Sequence, residues 1–451
     1  MYKTTDQEQN KRINRCQVVV IGGGPAGSTV AARLAQKGRD VVLLEKDHHP
    51  RFHIGESLLP MNLPLFKELG LDEAVQDIGV MKYGAEFNIP EAPDKPRTYY
   101  FDRALNTDTP PHAYEVRRSE FDHLLLKNCA RLGARVCEGM KVTHVELNTG
   151  NTRRVTVQND DGNLHYYDTE FVVDASGRDT FLSRRLNLKS RNPEHNSAAI
   201  FGHFKGVTRR PGRDAGNISI YWFTHGWFWM IPLRDDTVSV GAVCFPEYLK
   251  QRQCPPEEFL WQTLALCPPA LERMKHAHCV GEVNATGNFS YMSGKAHGPG
   301  FLLVGDAFTF VDPVFSSGVY IAMSSAFRAA DAVDRCLAQP TKASRILDAY
   351  ERDIRRAVKR FSWMIYRFNS PAMRQLFMAP RNLLKMEQAV ISLLAGDVYR
   401  TTRVQWALMA FKSIYYFVFI RHLHRTLEFY LRRRRNARLK FVGGTTQQDE
   451  I

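Results

Sequence analysis

The sequence predicts an α/β (α+β) fold, in which a domain with a parallel sheet and crossover helices carries an inserted antiparallel sheet and leads into a helical region. Three observations lead to this prediction. An apolar run at residues 18–21 is followed by a glycine-rich turn and a helical stretch. Alternating, aromatic-rich segments recur at residues 189–290, as in antiparallel strands. From about residue 325 onward, the apolar residues follow helical spacing.

The first element is a strand–turn–helix–strand unit, with the sequence GGGPAG beginning at Gly22. Gly22 allows the chain to turn sharply, Gly24 lets backbone amides approach a pyrophosphate, and Gly27 lets the helix pack closely on the strand. Pro25 and Ala26 lie between the last two of these glycines. The pattern, placed between two strands, predicts a dinucleotide-binding site.

Glu45 closes the second strand of this unit. A carboxylate at this place can bind both hydroxyls of an adenosine ribose. It would repel a 2′-phosphate, so the unit argues against NADP as the ligand.

Two distant segments complete the same sheet. Residues 171–178 form an apolar strand that ends at Asp174 and a tight turn, and residues 301–307 form another that ends at Gly305 and Asp306. The predicted units are a nucleotide-binding domain at 15–188 with substrate-side strands near 80–112, an antiparallel-sheet substrate domain at 189–290, a return to the first domain at 291–345, a helical region at 346–440 and a polar tail at 441–451.

The composition excludes several classes of protein. The 451 residues are 44% hydrophobic and 24% charged, so the chain is neither disordered nor of low complexity. No apolar run approaches the ~20 residues of a bilayer span, and the N-terminus lacks the apolar core of a secretory signal. The eight cysteines form no C-x-x-C pair, so we expect free thiols, no metal site and a cytoplasmic location.

The formal charge of +14 is concentrated near the C-terminus, where residues 401–440 hold ten arginines and lysines against one acid, Glu428. Such a region favours an acidic partner, either phospholipid headgroups at the inner face of the membrane or an acidic carrier protein. We expect no nucleic acid, because no recognition motif accompanies the charge. Residues 404–431 are apolar around most of the helix, so they are expected to be buried as a lid or to lie in a membrane interface.

The glycine unit with Glu45, the D-A-S-G sequence at 174–177 and the Gly305-Asp306 pair occur together in this order. The chain therefore resembles the FAD-dependent aromatic hydroxylases, which implies a Rossmann-like FAD-binding domain of that type. The resemblance implies that Asp306 holds the ribitol chain of the flavin and that Arg118 lies near the FAD phosphates. From the residues alone, Arg118 could also be a solvated charge at a helix start.

Three further segments narrow the resemblance: W-x-W-x-I-P at 227–232, F-x-x-P-x-x-S-x-G at 310–318 and RFHIGES, whose Arg51 is expected at the cofactor. Together they resemble the flavin-dependent halogenases. The resemblance implies that reduced flavin (FADH2) and O2 form a hydroperoxide, that chloride or bromide attacks it to give hypohalous acid, and that a lysine delivers this acid to an electron-rich aromatic ring. It also implies a separate flavin reductase, because the chain has no second nucleotide motif for NAD(P)H.

The resemblance assigns several residues around this reaction. Trp227 and Trp229 match a wall that separates the flavin from the substrate. Ser316, Ser317 and Gly318 enter a helix whose amides and hydroxyls can bind the halide. The alternative for these residues is a plain helix cap, since serine is a common capping residue.

Lys82 occupies the place of the family's catalytic lysine. Residues 80–88 alternate like one strand, which puts Lys82 and Glu86 on the same face. Two roles stay open: a neutral amine that forms a chloramine, which burial would favour, or an ammonium that hydrogen-bonds the hypohalous acid. The plain alternative is a solvated lysine paired with Glu86.

Phe315 marks a departure, because tryptophan halogenases carry a glutamate at this position. The absence of this glutamate favours a small aromatic substrate that stabilises positive charge itself, such as a phenol or a pyrrole. Such a substrate could be free or tethered to an acidic acyl carrier protein, which would suit the basic C-terminal region. The alternatives are an FAD-dependent aromatic monooxygenase or dehydrogenase without halogenation, and a non-catalytic flavin-binding protein attached to a membrane or carrier.

Overall fold

The computed structural model describes residues 13–439, except 151, 194, 381 and 400–402. The predicted polar tail at 441–451 therefore lies outside the described residues. The strands, in chain order, are β1 Ile13–Ile21, β2 Val41–Leu44, β3 Gly79–Lys82, β4 Gly84–Asn88, β5 Arg97–Tyr100, β6 Ala113–Val116, β7 Arg135–Cys137, β8 Met140–Thr149, β9 Thr152–Asn159, β10 Leu164–Asp174, β11 Lys189–Arg191, β12 Ser197–Lys205, β13 Ile218–Phe223, β14 Gly226–Pro232, β15 Val238–Cys244, β16 His278–Phe289, β17 Tyr291–Ser293, β18 His297–Gly298, β19 Phe301–Leu303 and β20 Thr309–Phe310. The helices, in chain order, are α1 Pro25–Gln36, α2 Leu63–Leu69, α3 Asp72–Ile78, α4 Arg118–Arg131, α5 Phe181–Arg185, α6 Pro246–Leu249, α7 Pro256–Leu264, α8 Pro268–Arg273, α9 Ser317–Ala338, α10 Ala343–Ile365, α11 Pro371–Met378, α12 Met386–Leu394, α13 Arg403–Arg421 and α14 Leu423–Ala437.

The nucleotide-binding half is built on a sheet with the order β18-β19-β10-β1-β2-β7, extended by β9 and β8 beside β10. Strands β19, β10, β1, β2 and β7 run parallel. Val18, Val19 and Val20 of β1 are completely buried, as expected for a parallel strand covered on both faces. Helix α1 packs against α4 and α9. The predicted strand–turn–helix–strand unit is confirmed.

The carboxyl ends of the parallel strands meet at one edge of this sheet, which is where ligands bind in open α/β folds. The Gly22 amide donates to the Leu44 carbonyl oxygen at 2.8 Å. The Val304 amide donates to the Asp174 carbonyl oxygen at 2.9 Å. The glycine turn and the two later segments therefore converge from distant parts of the chain, as predicted.

The inserted sheet has the order β16-β12-β15-β14-β13-β4-β5 and is antiparallel except where β4 joins β13. Its outer face packs on α7 and α8 in a separate apolar cluster that includes Phe204, Phe228 and Leu260. Its inner face carries Trp227 and Trp229, which belong to the main core. The predicted fold class is confirmed, while the domain limits drawn from the sequence stay predictions.

The single strand predicted at residues 80–88 is wrong, because the chain divides it between two sheets. β3 pairs with β6, whereas β4 pairs with β13 and β5. The break lies at Tyr83 and Gly84, whose amides both donate to the Asn217 side-chain oxygen at 2.8 Å. Lys82 and Glu86 therefore do not share a face, although the alternation of residue types suggested that they do.

The helical region contacts both sheets, with α10 against the edge strand β18 and α11 against β4 of the inserted sheet. α9 begins at Ser317, which confirms the prediction that residues 316–318 enter a helix and is earlier than the start suggested by the apolar spacing from about residue 325. Gly318 and the β-branched Val319 weaken local helix propensity, but Val319 and Ile321 are buried, so packing selects the helix. Within the described residues, no helix combines the length and the apolar character that crossing a bilayer requires.

Candidate active site

The glycine turn leaves an open cradle at the start of α1. Gly22 has a left-handed backbone conformation (φ +99°), and a methyl group there would lie 2.6 Å from the Ala175 carbonyl oxygen, so only glycine fits. A methyl group at Gly24, just before Pro25 begins the helix, would meet only Arg51 Nη2 within 4 Å among the described residues, at 3.8 Å. The helix N-terminus and this guanidinium therefore face a space that suits a pyrophosphate.

Glu45 lies beside the cradle and is almost completely buried. Its carboxylate accepts hydrogen bonds from the backbone amides of Gly23 and Asp47. Across the cradle, Ala26 lies against Gly305, where an added methyl group would come within 3.2 Å of the Ala26 Cβ. These contacts hold a carboxylate and two backbone turns at the edge where the adenosine of a nucleotide would bind.

The two aspartates of this edge have different surroundings. Asp174 accepts hydrogen bonds from the amides of Ser176 (3.0 Å) and Leu182 (2.7 Å), so its carboxylate fixes the turn after β10. Burial raises the pKa of the Asp306 carboxyl to about 6, against the opposing charge of Arg178. The structure therefore gives Asp174 backbone partners and leaves Asp306 as the aspartate suited to meet a ligand.

Arg118 begins α4 and is 5% exposed. Its guanidinium makes a bidentate ion pair with Asp122 (2.7 and 2.9 Å) and donates to the carbonyl oxygens of Ile54 (2.9 Å) and Gly55 (3.3 Å). Residues 51–57, called the strap below, are thereby tied to α4. The alternative of a solvated charge at a helix start is wrong.

Lys82 lies at the end of β3 and is 1% exposed. Its Nζ donates to Ser57 Oγ (2.6 Å) and to the Leu58 carbonyl oxygen (3.1 Å), and it lies 3.7 Å from Glu115 Oε1. Burial lowers the pKa of Lys82, and the Glu115 charge opposes that shift. The alternative pairing with Glu86 is wrong, because the Glu86 carboxylate is bound by Arg210 at 2.8 Å.

Glu115 is a functional candidate that the sequence analysis missed. It is completely buried, and burial raises its pKa to about 7 against the opposing charge of Lys82. Two non-local pairings bring it to the lysine: β3 against β6, and a bridge between Ser57 and Glu115. The only signal in the sequence is a lone acid inside the apolar strand Ala113–Val116.

The two indoles of the W-x-W motif lie on the same face of β14, with ring centroids 5.9 Å apart. Trp229 is 5% exposed, and its Nε1 donates to Ser239 Oγ at 3.2 Å. Gly241 lies opposite Trp229 in the next strand and leaves room for the indole, because any side chain there would collide with the ring. Trp229 also packs on Phe201, whose ring stacks at 6.4 Å on Phe52 of the strap.

The start of α9 offers hydrogen-bond donors. Ser316 has a left-handed conformation (φ +54°) and its side chain makes no capping hydrogen bond, so the plain-cap alternative is wrong for this residue. The Ser317 hydroxyl is completely buried and has no hydrogen-bond partner among the described residues. At Gly318, an added methyl group would meet no described atom within 4 Å. This helix N-terminus therefore combines an unsatisfied hydroxyl with open space, a setting that suits an anion.

Phe315 lies just before these serines and is 3% exposed. Its ring stacks parallel to Phe377, with centroids 6.2 Å apart, and meets Phe368 edge-on at 5.4 Å. Phe368 also lies 6.4 Å from Trp227, so one ring joins the second motif to the indoles. Phe368 and Phe377 come from the helical region, and no motif in the sequence marks them.

Comparison with known proteins identifies the family. A family model for an FAD binding domain matches residues 15–362. A flavin-dependent halogenase of Penicillium aethiopicum is 35% identical over 350 residues, which are 71% of this chain and only 65% of that relative. A 1H-pyrrole-2-carbonyl-(peptidyl-carrier protein) chlorinase of Pseudomonas fluorescens is 30% identical over 421 residues, 86% of this chain and 90% of the relative. The chain belongs to the flavin-dependent halogenase family. Its cofactor is FAD.

This member of the halogenase family also shares its fold with a flavoprotein whose name gives another activity. A flavoprotein/dehydrogenase from Cytophaga hutchinsonii superposes with a TM-score of 0.81 at 26% identity, covering 91% of this chain and 100% of that protein. The scaffold is therefore common to halogenases and a dehydrogenase. Which reaction this scaffold supports in the present chain therefore depends on the side chains around Lys82 and the two indoles.

Proposed function

We propose that the protein is an FADH2-dependent halogenase that forms hypohalous acid from O2 and chloride or bromide and delivers it through Lys82 to an electron-rich small aromatic. The observation that carries the proposal is the setting of Lys82. An amine withdrawn from water is held by Ser57, Leu58 and Glu115. Burying an ionisable pair costs free energy, and such perturbed groups cluster at functional sites.

In this proposal, FAD binds at the edge of the parallel sheet. The α1 N-terminus and Arg51 hold the pyrophosphate, Glu45 binds the adenosine ribose, and Asp306 meets the ribitol chain. When bound and reduced, FAD supplies the electrons that activate O2. Arg118 and Asp174 act behind these contacts, because they fix the strap and the turn after β10.

The halide is proposed to bind at the start of α9. The Ser317 hydroxyl and the amides of Ser317 and Gly318 are donors for an anion, with Ser316 shaping the turn. Phe315 stands just before these donors without the carboxylate that tryptophan halogenases carry there, which favours a substrate that stabilises positive charge itself.

Trp227 and Trp229 are proposed to keep the substrate away from the flavin. Their buried indoles lie side by side on β14, braced by Ser239 and Phe201. Because the substrate cannot pass this wall, direct oxygen transfer to its ring is prevented, and the oxidising halogen species must move to Lys82.

Glu115 is proposed as the positioning residue of Lys82. In a dry pocket the pair can exist as ammonium and carboxylate or as amine and carboxylic acid, with no net charge in either form. In the ammonium form, Lys82 would donate a hydrogen bond to hypohalous acid while Glu115 is the carboxylate. In the amine form, the Lys82 nitrogen would take the halogen from hypohalous acid and lose its own proton to the departing hydroxide, giving a chloramine and water, while Glu115 keeps its proton. The pocket has no net charge in either form.

The proposed substrate is a phenol or a pyrrole. The Pseudomonas relative, whose name specifies a pyrrole on a carrier protein, favours the carrier-tethered form. An acidic carrier would be attracted by the basic C-terminal region, and a separate flavin reductase would supply the reduced cofactor. A cytoplasmic location and contact of the C-terminal region with the membrane stay predictions, and no nucleic-acid partner is proposed.

Mass spectrometry of reaction mixtures tests the proposal. The purified protein receives FAD, a generic flavin reductase, NADH, O2, chloride or bromide, and free phenols, free pyrroles or pyrrole loaded on a carrier protein. We expect a halide isotope doublet that falls by at least ~10²-fold in Lys82→Ala, since a positioned acid–base group contributes on that order. The exposed Lys95 provides the control, Lys95→Ala, which should leave the doublet unchanged. FAD retention and flavin reoxidation should be equal in all three proteins.

The second candidate is an FAD-dependent monooxygenase or dehydrogenase without halogenation, which the likeness to the Cytophaga flavoprotein/dehydrogenase favours. Hydroxylated product in the presence of halide, or substrate oxidation without added reductase, would support it and overturn the halogenase proposal. FAD binding with no turnover of any substrate would instead support a non-catalytic flavin-binding protein.

A further inference from the structure

The outer sides of α13 and α14 expose large apolar side chains. Trp406 and Phe417 are each 70% exposed, Ile420 is 68% exposed and Leu431 is 63% exposed. Monomeric proteins rarely leave such a contiguous surface to water unless it has a function. The set, called the apolar face below, is Trp406, Met409, Tyr416, Phe417, Ile420, Leu423, Leu427 and Leu431.

This face is not needed for the fold of the described chain. The opposite side of α13 is already buried through Val404, Ala407, Phe411 and Tyr415. α13 is therefore apolar on two sides, of which the protein covers one. A helix that is apolar all round is normally covered all round, so the second side calls for something outside the chain.

The apolar face is held in place by the packing of the helix pair. The Tyr415 and Tyr430 hydroxyls lie 3.1 Å apart, and the Phe419 and Tyr430 rings lie 5.8 Å apart. α14 is in turn fixed to the inserted sheet domain, because the Glu247 amide donates to the Asn436 side-chain oxygen at 2.9 Å. The face is therefore presented outward by two helices that contact each other and the rest of the protein.

Positive charge continues the same surface. Leu423, Leu427 and Leu431 recur every four residues, and Arg434 and Arg438 follow at the next helical spacings on this side of α14. Among the other described cations of these two helices, three are exposed and two are half-exposed, whereas the described acid is Glu428 alone. The exposed ones are Arg421, Arg425 and Arg435, and the half-exposed ones are Lys412 and Arg432, of which Arg432 pairs with Glu247.

We infer that the apolar face docks on the surface of an anionic lipid bilayer. Trp406, Phe417 and Ile420 enter the boundary between headgroups and acyl chains, and Arg434 and Arg438 meet the lipid phosphates. Apolar residues on one side with arginines beside them are the features of a helix that lies in the membrane interface. Neither helix is a membrane span, so the protein lies on the bilayer.

The chemistry of the face favours lipid over a protein partner. A specific protein interface carries roughly one hydrogen bond per 100–200 Å², yet among the exposed described residues of α13 that lie before its terminal Arg421, only Ser413 and the Tyr416 hydroxyl offer conventional hydrogen-bonding groups besides the indole of Trp406. A second copy of the chain would bring the same positive charge to the contact, which disfavours a dimer through this face. A bilayer does not require matched hydrogen-bond partners at fixed positions. It offers an apolar interior for the exposed side chains and negatively charged headgroups for the arginines.

This inference gives a defined surface to the membrane contact predicted for the C-terminal region, and it does not depend on halogenase chemistry. Co-sedimentation of the full-length FAD-loaded protein with vesicles tests it. Vesicles of phosphatidylcholine mixed with phosphatidylglycerol should bind the protein, and vesicles of phosphatidylcholine alone should bind it weakly. The double variant Phe417→Ser, Ile420→Ser should lose binding to both.

Charge and control variants sharpen the result. Arg434→Gln with Arg438→Gln should weaken binding to the anionic vesicles about thirtyfold, because each arginine near such a surface contributes roughly a factor of five. High ionic strength should produce a similar loss in the unmodified protein. The matched control is Leu164→Ser with Leu266→Ser, two exposed leucines elsewhere, which should bind as the unmodified protein does.

Trp406 provides a second measurement that does not rely on loss of binding. Its fluorescence should shift to the blue on binding and be quenched by brominated lipid, and Trp406→Phe should remove that signal while the protein still sediments with the vesicles. Three results would overturn the inference: no binding to either vesicle, binding to an acidic carrier protein that the serine variant abolishes while vesicles do not bind, or a lipid-independent dimer that the serine variant dissociates.

Discussion

The Lys82 pocket buries charged side chains, whereas the apolar face exposes large apolar side chains to water. Each arrangement is the opposite of the usual distribution of residues between interior and surface. In the pocket, the Lys82 and Glu115 side chains are 1% and 0% exposed. On the face, Trp406 and Phe417 are 70% exposed. Charged groups are rarely fully buried and large apolar groups rarely cluster in water, so both arrangements cost free energy.

The two regions differ in where that cost is offset. Lys82 finds its partners inside the chain, namely Ser57, Leu58 and Glu115, although neither Glu115 carboxylate oxygen has a hydrogen-bond partner among the described residues. On the apolar face, Trp406, Phe417 and Ile420 are instead left largely in water. A buried charge with partners inside the chain indicates chemistry at the site, whereas exposed apolar side chains indicate a partner outside the chain.

We expect the largest effect from a substitution that buries a carboxylate with no lysine beside it. Phe315→Glu puts an acid between Phe368 and Phe377, and we expect it to lower the free energy of unfolding by about 3 kcal/mol or more. Urea denaturation of the FAD-loaded protein measures the loss.

Phe417→Glu is the matched control, because the same substitution on the apolar face changes a side chain that is 70% exposed. Its effect on the free energy of unfolding should stay within about 0.5 kcal/mol. Equal losses in the two variants would show that the apolar face is covered within the chain, and the comparison between the regions would then fail.

The pocket and the face also differ in how far the sequence predicts them. The glycine turn, the Gly305-Asp306 pair and the W-x-W motif could be predicted, because each depends on backbone conformation or residue type within a few positions. Glu115 could not be found, because it reaches Lys82 only through the pairing of β3 with β6. The prediction of one strand at residues 80–88 was wrong for the same reason. The alternation is local, whereas the division between two sheets depends on distant strands and on Asn217, which binds the amides at the break.

The helical region shows the same limit. Its amphipathic helices could be predicted from spacing, but spacing does not say which apolar side is buried when a helix has two. Phe368 and Phe377 reach Phe315 only because the turn after α10 and helix α11 bring them to the residues before α9. The start of α9 itself depends on burial of Val319 and Ile321, which overrides their weak helix propensity.

Asp306 is an intermediate case, a half-buried acid whose proposed partner is the cofactor. Asp306→Asn should weaken FAD binding about 10- to 100-fold, the usual range for a hydrogen bond to a charged group. A fluorescence titration of FAD binding above pH 7 measures the effect, because the carboxyl has a pKa of about 6 and is ionised there.

The pH dependence of that difference checks the assignment. Below pH 6 the carboxyl of the unmodified protein gains a proton, so its FAD affinity should approach that of Asp306→Asn. The exposed Asp353 gives the control, Asp353→Asn, with unchanged affinity at every pH. If Asp306→Asn keeps the FAD affinity of the unmodified protein above pH 7, the carboxylate does not hold the cofactor.

The smallest expected effect is a shift in pH dependence, and it distinguishes the two proposed roles of the lysine. Glu115→Gln removes a negative charge 3.7 Å from the Lys82 Nζ, so the pKa of Lys82 falls further and the amine forms at lower pH. If the reaction uses the ammonium, the alkaline limb of the halogenation rate should move to lower pH by about one unit. If it uses the amine, the acid limb should move to lower pH instead.

Stability supplies a readout that is independent of turnover. In the unmodified protein, burial raises the Glu115 pKa from its ordinary 4.5 to about 7, so the folded state binds this proton more tightly than the unfolded state does. Stability should therefore fall as pH rises from 4.5 to 7, and Glu115→Gln should lose that component of the slope.

Glu86→Gln, at a buried acid paired with Arg210, should shift neither limb of the rate profile. If Glu115→Gln has the same rate profile as the unmodified protein, the glutamate only fills space beside the lysine. The charge balance between Glu115 and Lys82 would then no longer distinguish the pocket from the apolar face.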